Sequence, residues 1–302
     1  MNPAPSPTSS RRAELALLLV AVFWGLTFPA IRSAVATVPP LDFVAWRFSL
    51  ATLVFLPLVL ARPAARRDLL RAAPLGLVLG FIAWISYITQ TIGLQTVSAG
   101  RGAFITGLNV VFVPLFAPLF RQGRPGRLDL ITTGLAVLGL LVMTRPDLDG
   151  LAAGDLWVLV CAVAYALYIH ALQRGSGRVD PGALAFTQVA GVGLFALVVL
   201  PLGEPAPFPS WEAWVAIAFC GVFATVATFW LQTRFQGDTT PTRAALIFTS
   251  EPVFAAFFAW LLIGETLGLR ELAGAAMILG AVLIVELAPR GAAPVGQGEE
   301  GS

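Results

Sequence analysis

The stretch TPTRAALIFTSEPVFAAFFAWLLIGE, Thr240 to Glu265, is apolar enough to cross a bilayer, yet it carries Glu251 and Pro252 in its middle. At about 1.5 Å rise per residue, Glu251 lies roughly 16 Å from Thr240, near the midplane of a hydrocarbon core about 30 Å thick. A carboxylate at that depth costs around 3 kcal/mol on insertion scales, so such a group faces a bundle interior or a wet cavity rather than lipid. Pro252 removes one backbone donor and clashes with the carbonyl four residues back, which predicts a kink beside the acidic group. An intramembrane carboxylate next to a helix breaker marks a site.

The same pattern occurs earlier. Adding 142 to the numbers of 98–118 superposes Arg101 on Arg243, Asn109 on Glu251 and Phe116 on Phe258. Upstream, a shift of 141 pairs Glu14 with Asp155, Trp24 with Tyr165, Pro40 with Pro181 and Gly80 with Gly221. A nearly constant offset over so many landmarks identifies two copies of one unit of about 141 residues.

Hydrophobic residues make up 57% of the chain and charged ones 12%, against about 45–50% and 25% in soluble domains. Ten apolar segments follow: 13–36, 41–61, 72–94, 97–119, 128–144, 153–173, 181–202, 211–234, 240–263 and 269–287. Residues 1–12 are rich in Pro and Ser and read as a disordered tail. Two five-span units follow, 13–146 and 147–288, and 289–302 has a flexible-linker composition. The basic flank before Ala13 and the Ala34-Val35-Ala36 sequence imitate a signal peptide, but Ala13 to Ile31 is too long for an ordinary apolar core of one, so an uncleaved first span is expected.

All 19 basic residues are arginine. A Walker A loop, a pyridoxal-phosphate site and a retinal Schiff base each need a lysine, so nucleotide-driven and lysine-bound cofactor chemistry are excluded. Cys161, Cys220 and the single histidine, His170, are too few and too scattered for a disulfide framework or a zinc cluster. Neither metal nor cofactor is expected, nor any nucleic-acid partner, and no nucleophile-base pair suggests an enzyme.

Thirteen arginines fall in loops on one side, and only Arg145 and Arg270 on the other. The positive-inside rule then puts both termini in the cytoplasm. Because each unit has an odd number of spans, the second enters the membrane from the opposite face, predicting an all-α membrane protein of ten helices in two inverted repeats around a central cavity. Inverted repeats can pack in two nearly equivalent ways, each open to one side, which favours transport.

Phe23-Trp24-Gly25 with Pro29 and Ile31, Arg47-Phe48, Gly93-Leu94 with Ser98-Ala99, and Glu251-Pro252-Val253-Phe254-Ala255 with Gly264-Glu265 carry a family resemblance. From Leu15 to Leu287 the chain resembles the ten-helix bacterial exporters of the drug/metabolite transporter superfamily with two EamA domains. The first unit departs from that pattern, with Asn109-Val110 in place of Glu251-Pro252 and Gln122-Gly123 in place of Gly264-Glu265. The resemblance implies a multi-pass protein of the bacterial inner membrane that exports small metabolites, amino acids most specifically.

Candidate site residues follow from their depth. Trp24, Phe28, Trp84, Tyr87, Tyr165 and Tyr168 read either as cavity wall or as interhelical packing, with Asn109, Thr225, Thr228 and Glu251 as polar contacts near mid-span. Pro29, Pro114 and Pro252 are candidate hinges. Arg32, Arg47 and Arg101 fall toward span ends near Asp42, where they snorkel to the interface or form a vestibule or gate with that carboxylate. Gly76 and Gly80 predict a close helix contact, and the Gly- and Ala-rich spans 128–144 and 269–287 read as scaffold or as a pairing surface. The expected protein works as a monomer in the lipid bilayer on broad neutral and aromatic amino acids by alternating access. Efflux of drug-like cations with Glu251 as counter-charge is the alternative, and a non-transporting membrane sensor or assembly protein is the alternative of another class.

Overall fold

The computed structural model describes residues 7–121, 125–144, 152–203, 208–263 and 268–287. Gln122-Gly123, Gly264-Glu265, Arg124, Arg145, Arg290, residues 1–6 and the tail from 288 lie outside them. The described residues are almost entirely helical: α1 Pro7–Gly25, α2 Thr27–Ala34, α3 Pro40–Leu60, α4 Pro63–Gly93, α5 Ala99–Gly107, α6 Asn109–Phe116, α7 Arg127–Thr144, α8 Ala153–Gly175, α9 Pro181–Val199, α10 Trp211–Gly221, α11 Thr228–Phe235, α12 Pro241–Phe248, α13 Glu251–Ile263 and α14 Leu269–Leu287.

Seven helical stretches among the described residues are long and apolar enough to cross a membrane. Of the three other expected spans, two are α7 and α14, with 18 and 19 residues, and the third is divided into α12 and α13. The protein is therefore a multi-pass helical membrane protein. Leu53, Leu70, Leu115 and Trp260 stand on its exterior, as side chains facing lipid do.

Helix starts are set by local chemistry. Prolines open α1, α3, α4, α9 and α12, where the missing N–H costs nothing because first-turn donors lack intrahelical acceptors. For that reason α1 starts at Pro7, and the residues from Pro7 to Arg12, expected in the disordered tail, are helical. Asp180 caps α9 through the N–H groups of Gly182 and Ala183, and Ser98, Ser210 and Thr240 cap α5, α10 and α12.

Small residues decide which helices meet. A Cβ on Gly76 would stand 2.0 Å from Thr187 Oγ1 and one on Gly80 2.8 Å from the Gln188 carbonyl, so α4 and α9 pack backbone to backbone as the spacing predicts. A Cβ on Gly25 would meet the Glu251 carbonyl and the Ala255 N–H at 2.9 Å, which fixes the end of α1 against the start of α13. The other contacts run in counterpart pairs. Helix α1 packs on α12 and α13 while α8 packs on α5 and α6, and α7 and α14 pair with each other.

Candidate functional site

Four interruptions of regular helix converge on one place. Between α1 and α2 the chain turns at Leu26, between α5 and α6 at Leu108, and between α12 and α13 at Thr249-Ser250. Between α10 and α11 it widens into a π-helix, Val222–Ala227. The kink expected at Pro252 thus lies before it, and Pro252 sits in the first turn of α13, where it costs no hydrogen bond. Pro29 occupies the equivalent place in α2. Pro114 lies inside α6, six residues after the Leu108 turn. The hydroxyls of Thr249 and Ser250 donate to the carbonyls of Leu246 and Ile247 at 2.5 and 2.6 Å, adding to the bonds those carbonyls accept from the backbone N–H groups of the same two residues.

Irregular backbone at bilayer depth is tolerated where it is buried in protein or lines a cavity. Here the breaks at Leu26, Leu108 and Thr249-Ser250 border a cavity lined by Trp24, Thr27, Arg47, Ser86, Tyr87, Gln90, Thr106, Asn109, Cys161, Tyr165 and Glu251. Of the expected wall, Trp24, Tyr87 and Tyr165 are present; of the expected polar contacts, Asn109 and Glu251. Trp24 meets Tyr165 edge-on with ring centroids 5.5 Å apart.

The other candidates go elsewhere, for identifiable reasons. Phe28 is buried beside Ile31, Phe43 and Leu94. Trp84 stacks on Phe81 and tilts against Phe195. The Tyr168 hydroxyl donates to Gln188 Oε1 at 2.7 Å, a bond that turns it away from the cavity. Thr225 and Thr228 are fully buried behind the wall, where Thr228 donates to the Ala224 carbonyl.

Arg47 was expected near a gate and instead is part of the cavity wall, only 2% exposed. The π-helix explains its position. Thr225 Oγ1 donates to the carbonyl five residues back, Cys220, and accepts from Arg47 Nε at 3.0 Å, while the Ala224 carbonyl accepts from a terminal nitrogen at 3.1 Å. The guanidinium carbon lies 4.8 Å from the Tyr87 ring centroid and 5.4 Å from that of Phe48. A single π turn is a frequent mark of a functional position. Here it presents two oxygens to a buried cation.

Arg32 donates to the carbonyls of Leu94 and Val97, and Asp42, in the first turn of α3, forms no ion pair with any arginine among the described residues. Arg101 pairs with Asp155 rather than Asp42, Nε to Oδ1 at 2.7 Å and a terminal nitrogen to Oδ2 at 2.6 Å. Asp155 is the buried acid of the pair, and the same carboxylate accepts from the Ala152 N–H at the start of α8. A counterpart joins Arg243 to Glu14 at 3.4 Å. Glu14 and Arg32 stand at opposite ends of the α1–α2 span, and Arg32 holds the turn next to Arg101, so the two ion pairs lie at opposite ends of the bundle.

Sequence reading missed a buried glutamine ladder. Tyr165 donates to Gln232 Oε1 at 3.0 Å, Gln232 to Gln236 Oε1 at 2.8 Å, and Gln236 to the Ile169 carbonyl at 2.8 Å. Gln188 adds a bond to Thr233 Oγ1 at 3.1 Å. These side chains fill the interior between the cavity and the Glu14 end. The signal was the four-residue spacing of Gln232 and Gln236 at the end of the 211–234 span, which puts both on one side of the helix. Cys161 lines the cavity and contacts Ser86 Oγ at 3.3 Å.

A family model described as "EamA-like transporter family" matches the chain twice, at residues 11–145 and 152–287. An uncharacterized transporter of Archaeoglobus fulgidus is 31% identical over 284 residues, covering 91% of this chain and 86% of its own. The uncharacterized inner membrane transporter YedA of Escherichia coli is 25% identical over 277 residues, covering 90% of each. The uncharacterized transporter YyaM of Bacillus subtilis is 25% identical over 278 residues, covering 88% and 91%. A solved structure titled "Crystal structure of protein" superposes with a TM-score of 0.74 over 91% of this chain and 96% of its own, at 19% identity, a likeness of fold alone. The chain belongs to the EamA-like transporter family.

Proposed function

We propose that the protein exports neutral and aromatic amino acids and related small metabolites across the bacterial inner membrane, as a monomer, by alternating access of a central chamber between two inverted five-span repeats. The observation that carries this reading is the pair of exchanged salt bridges. Arg101 of the first half holds Asp155 of the second, and Arg243 of the second holds Glu14 of the first, the same contact at offsets of 142 (243 − 101) and 141 (155 − 14). A contact i to j accompanied by j to i is what an approximate two-fold axis produces. With five spans per half that axis lies in the membrane plane, so one pair guards each face.

Opening toward a face separates the pair there and keeps the other. In this arrangement the chamber reaches Gln90 and Thr106 toward the Arg101 end, while the glutamine ladder closes the Glu14 end. By the arginine distribution the Glu14 end is cytoplasmic. The aromatic wall suits apolar side chains of several sizes.

Arg47 weighs against the cation alternative. A cation in the same chamber shares it with this buried guanidinium, and two positive charges about 8 Å apart repel by about 2 kcal/mol at an effective dielectric of 20. The test is flux from proteoliposomes loaded with labelled threonine, methionine or phenylalanine. Release above that from protein-free liposomes is expected; its absence for all three removes the amino-acid reading, and transport of a quaternary cation instead installs the alternative.

A further inference from the structure

The chamber contains one fixed cation and one carboxylate that do not neutralise each other. Arg47 and Glu251 both line it, yet no ion pair joins them, and among the described residues Glu251 makes no hydrogen bond or salt bridge. Arg47 spends two of its three nitrogens on Thr225 and Ala224, both uncharged, and the third bonds to none of the described residues. A buried guanidinium held only by neutral oxygens and a ring face is incompletely compensated. Each charged group in this wall therefore lacks a counter-ion that only an occupant can bring.

Two further groups point the same way. The Trp24 indole N–H and the Asn109 side-chain carbonyl are buried without hydrogen-bond partners among the described residues, one an unmet donor and the other an unmet acceptor, and both residues line the chamber. The chamber thus holds a donor pair, Arg47 and Trp24, and an acceptor pair, Asn109 and Glu251. Asn109 and Glu251 are repeat counterparts, each opening the second half of a broken span.

We infer that the chamber reads both ends of a zwitterion, Arg47 taking the carboxylate and Glu251 with Asn109 taking the ammonium, so that free α-amino acids are preferred over their decarboxylated or N-acylated derivatives. This rests on the transport reading above and adds the recognition rule. Tyr87, with its ring centroid 4.8 Å from the guanidinium carbon, helps hold the donor pole in the wall. The π turn at 222–227 positions the donor pole, which gives Thr225 a role at one remove from substrate.

The experiment is competition against labelled phenylalanine in proteoliposomes, using phenylalanine, phenethylamine and N-acetylphenylalanine as competitors. Wild-type protein is expected to favour phenylalanine over each derivative by about tenfold or more, the usual worth of one charge-assisted hydrogen bond. Arg47→Gln is expected to lose that preference over phenethylamine while its affinity for phenethylamine holds or rises, and Arg47→Lys to keep part of it. Glu251→Gln is expected to lose instead the preference over N-acetylphenylalanine. Phenylalanine transport with equal competition by phenethylamine in wild type, or with an unchanged ratio in Arg47→Gln, overturns the recognition rule and leaves amino-acid export standing. Absence of phenylalanine, threonine and methionine flux together overturns export itself. The wild-type competitor series decides the matter even if the Arg47→Gln protein fails to fold.

Discussion

The spans α5–α6 and α12–α13 share a plan and differ in chemistry just after their breaks, where Asn109-Val110 stands against Glu251-Pro252. Each opens on a hydroxyl cap, Ser98 or Thr240; each places an arginine three residues later on a carboxylate of the other half; each breaks near its middle. After the break one has Asn109 and the other Glu251. Shared features hold the two halves together, and the unshared one supplies a titratable charge. Architecture in this chain is written twice and chemistry once, which separates mutations expected to act alike in both halves from mutations expected to act in one.

The largest effect is expected where the shared design is unequal in strength. Arg101–Asp155 is bidentate and close, whereas Arg243–Glu14 is a single contact at 3.4 Å. Removing one member of a buried pair strands the other at a cost of about 3 kcal/mol or more. Arg101→Gln should therefore lower thermal stability in detergent by more than Arg243→Gln, and the two should bias access toward opposite faces. Labelling of introduced cysteines by a membrane-impermeant thiol reagent reads that bias. Equal destabilisation, or bias toward the same face, breaks the comparison.

Next comes the unshared position. If Glu251 loads and releases a proton during the cycle, Glu251→Gln removes the pH dependence of flux, while Asn109→Ala lowers flux at all pH values alike. A tenfold change in flux between acidic and alkaline conditions corresponds to about 1.4 kcal/mol. Unchanged pH dependence in Glu251→Gln would make that carboxylate a structural group. A smaller effect is expected behind the wall. Thr225→Val removes one hydrogen bond to Arg47, worth about 1.5 to 3 kcal/mol with a charged partner. It should weaken phenylalanine affinity without touching the Arg101 end, and unaltered affinity would show that the π turn does not hold the guanidinium.

How much of this was legible beforehand follows from what each signal depends on. The spans, the offset and the mid-membrane Glu251 are properties of hydropathy and spacing, which a sequence carries openly. Arg101 and Arg243 were visible as counterparts, and so were Glu14 and Asp155, but their exchange across halves depends on which spans touch, and Asp42 was nearer in sequence to the other arginines. Arg47 was misplaced because its depth depends on a π turn 178 residues away, formed where Thr225 bonds the Cys220 carbonyl. Trp84 and Tyr168 show the limit of reading aromatic spacing: a stripe identifies a helix face, and the partners across that face, Phe195 and Gln188, decide whether it meets a void or a neighbour.

The smallest effect tests whether the two broken spans are equivalent where they look most alike. Ser98 Oγ accepts from the Arg101 N–H at 3.3 Å and Thr240 Oγ1 from the Arg243 N–H at 3.2 Å, so each cap fixes the backbone of the arginine that crosses to the other half. Loss of such a cap costs about 1 kcal/mol, serine and threonine differing by a few tenths. Ser98→Ala and Thr240→Ala should each lower the unfolding temperature by about 2 to 4 °C, and by nearly the same amount. A cap acts on its own turn and is indifferent to how tightly the arginine side chain is held, so the inequality between the two ion pairs should not appear in these variants. If Ser98→Ala proved as much more damaging than Thr240→Ala as Arg101→Gln is than Arg243→Gln, cap and ion pair would act as one unit, and the Arg101 end would be a single rigid clasp rather than two separable contacts.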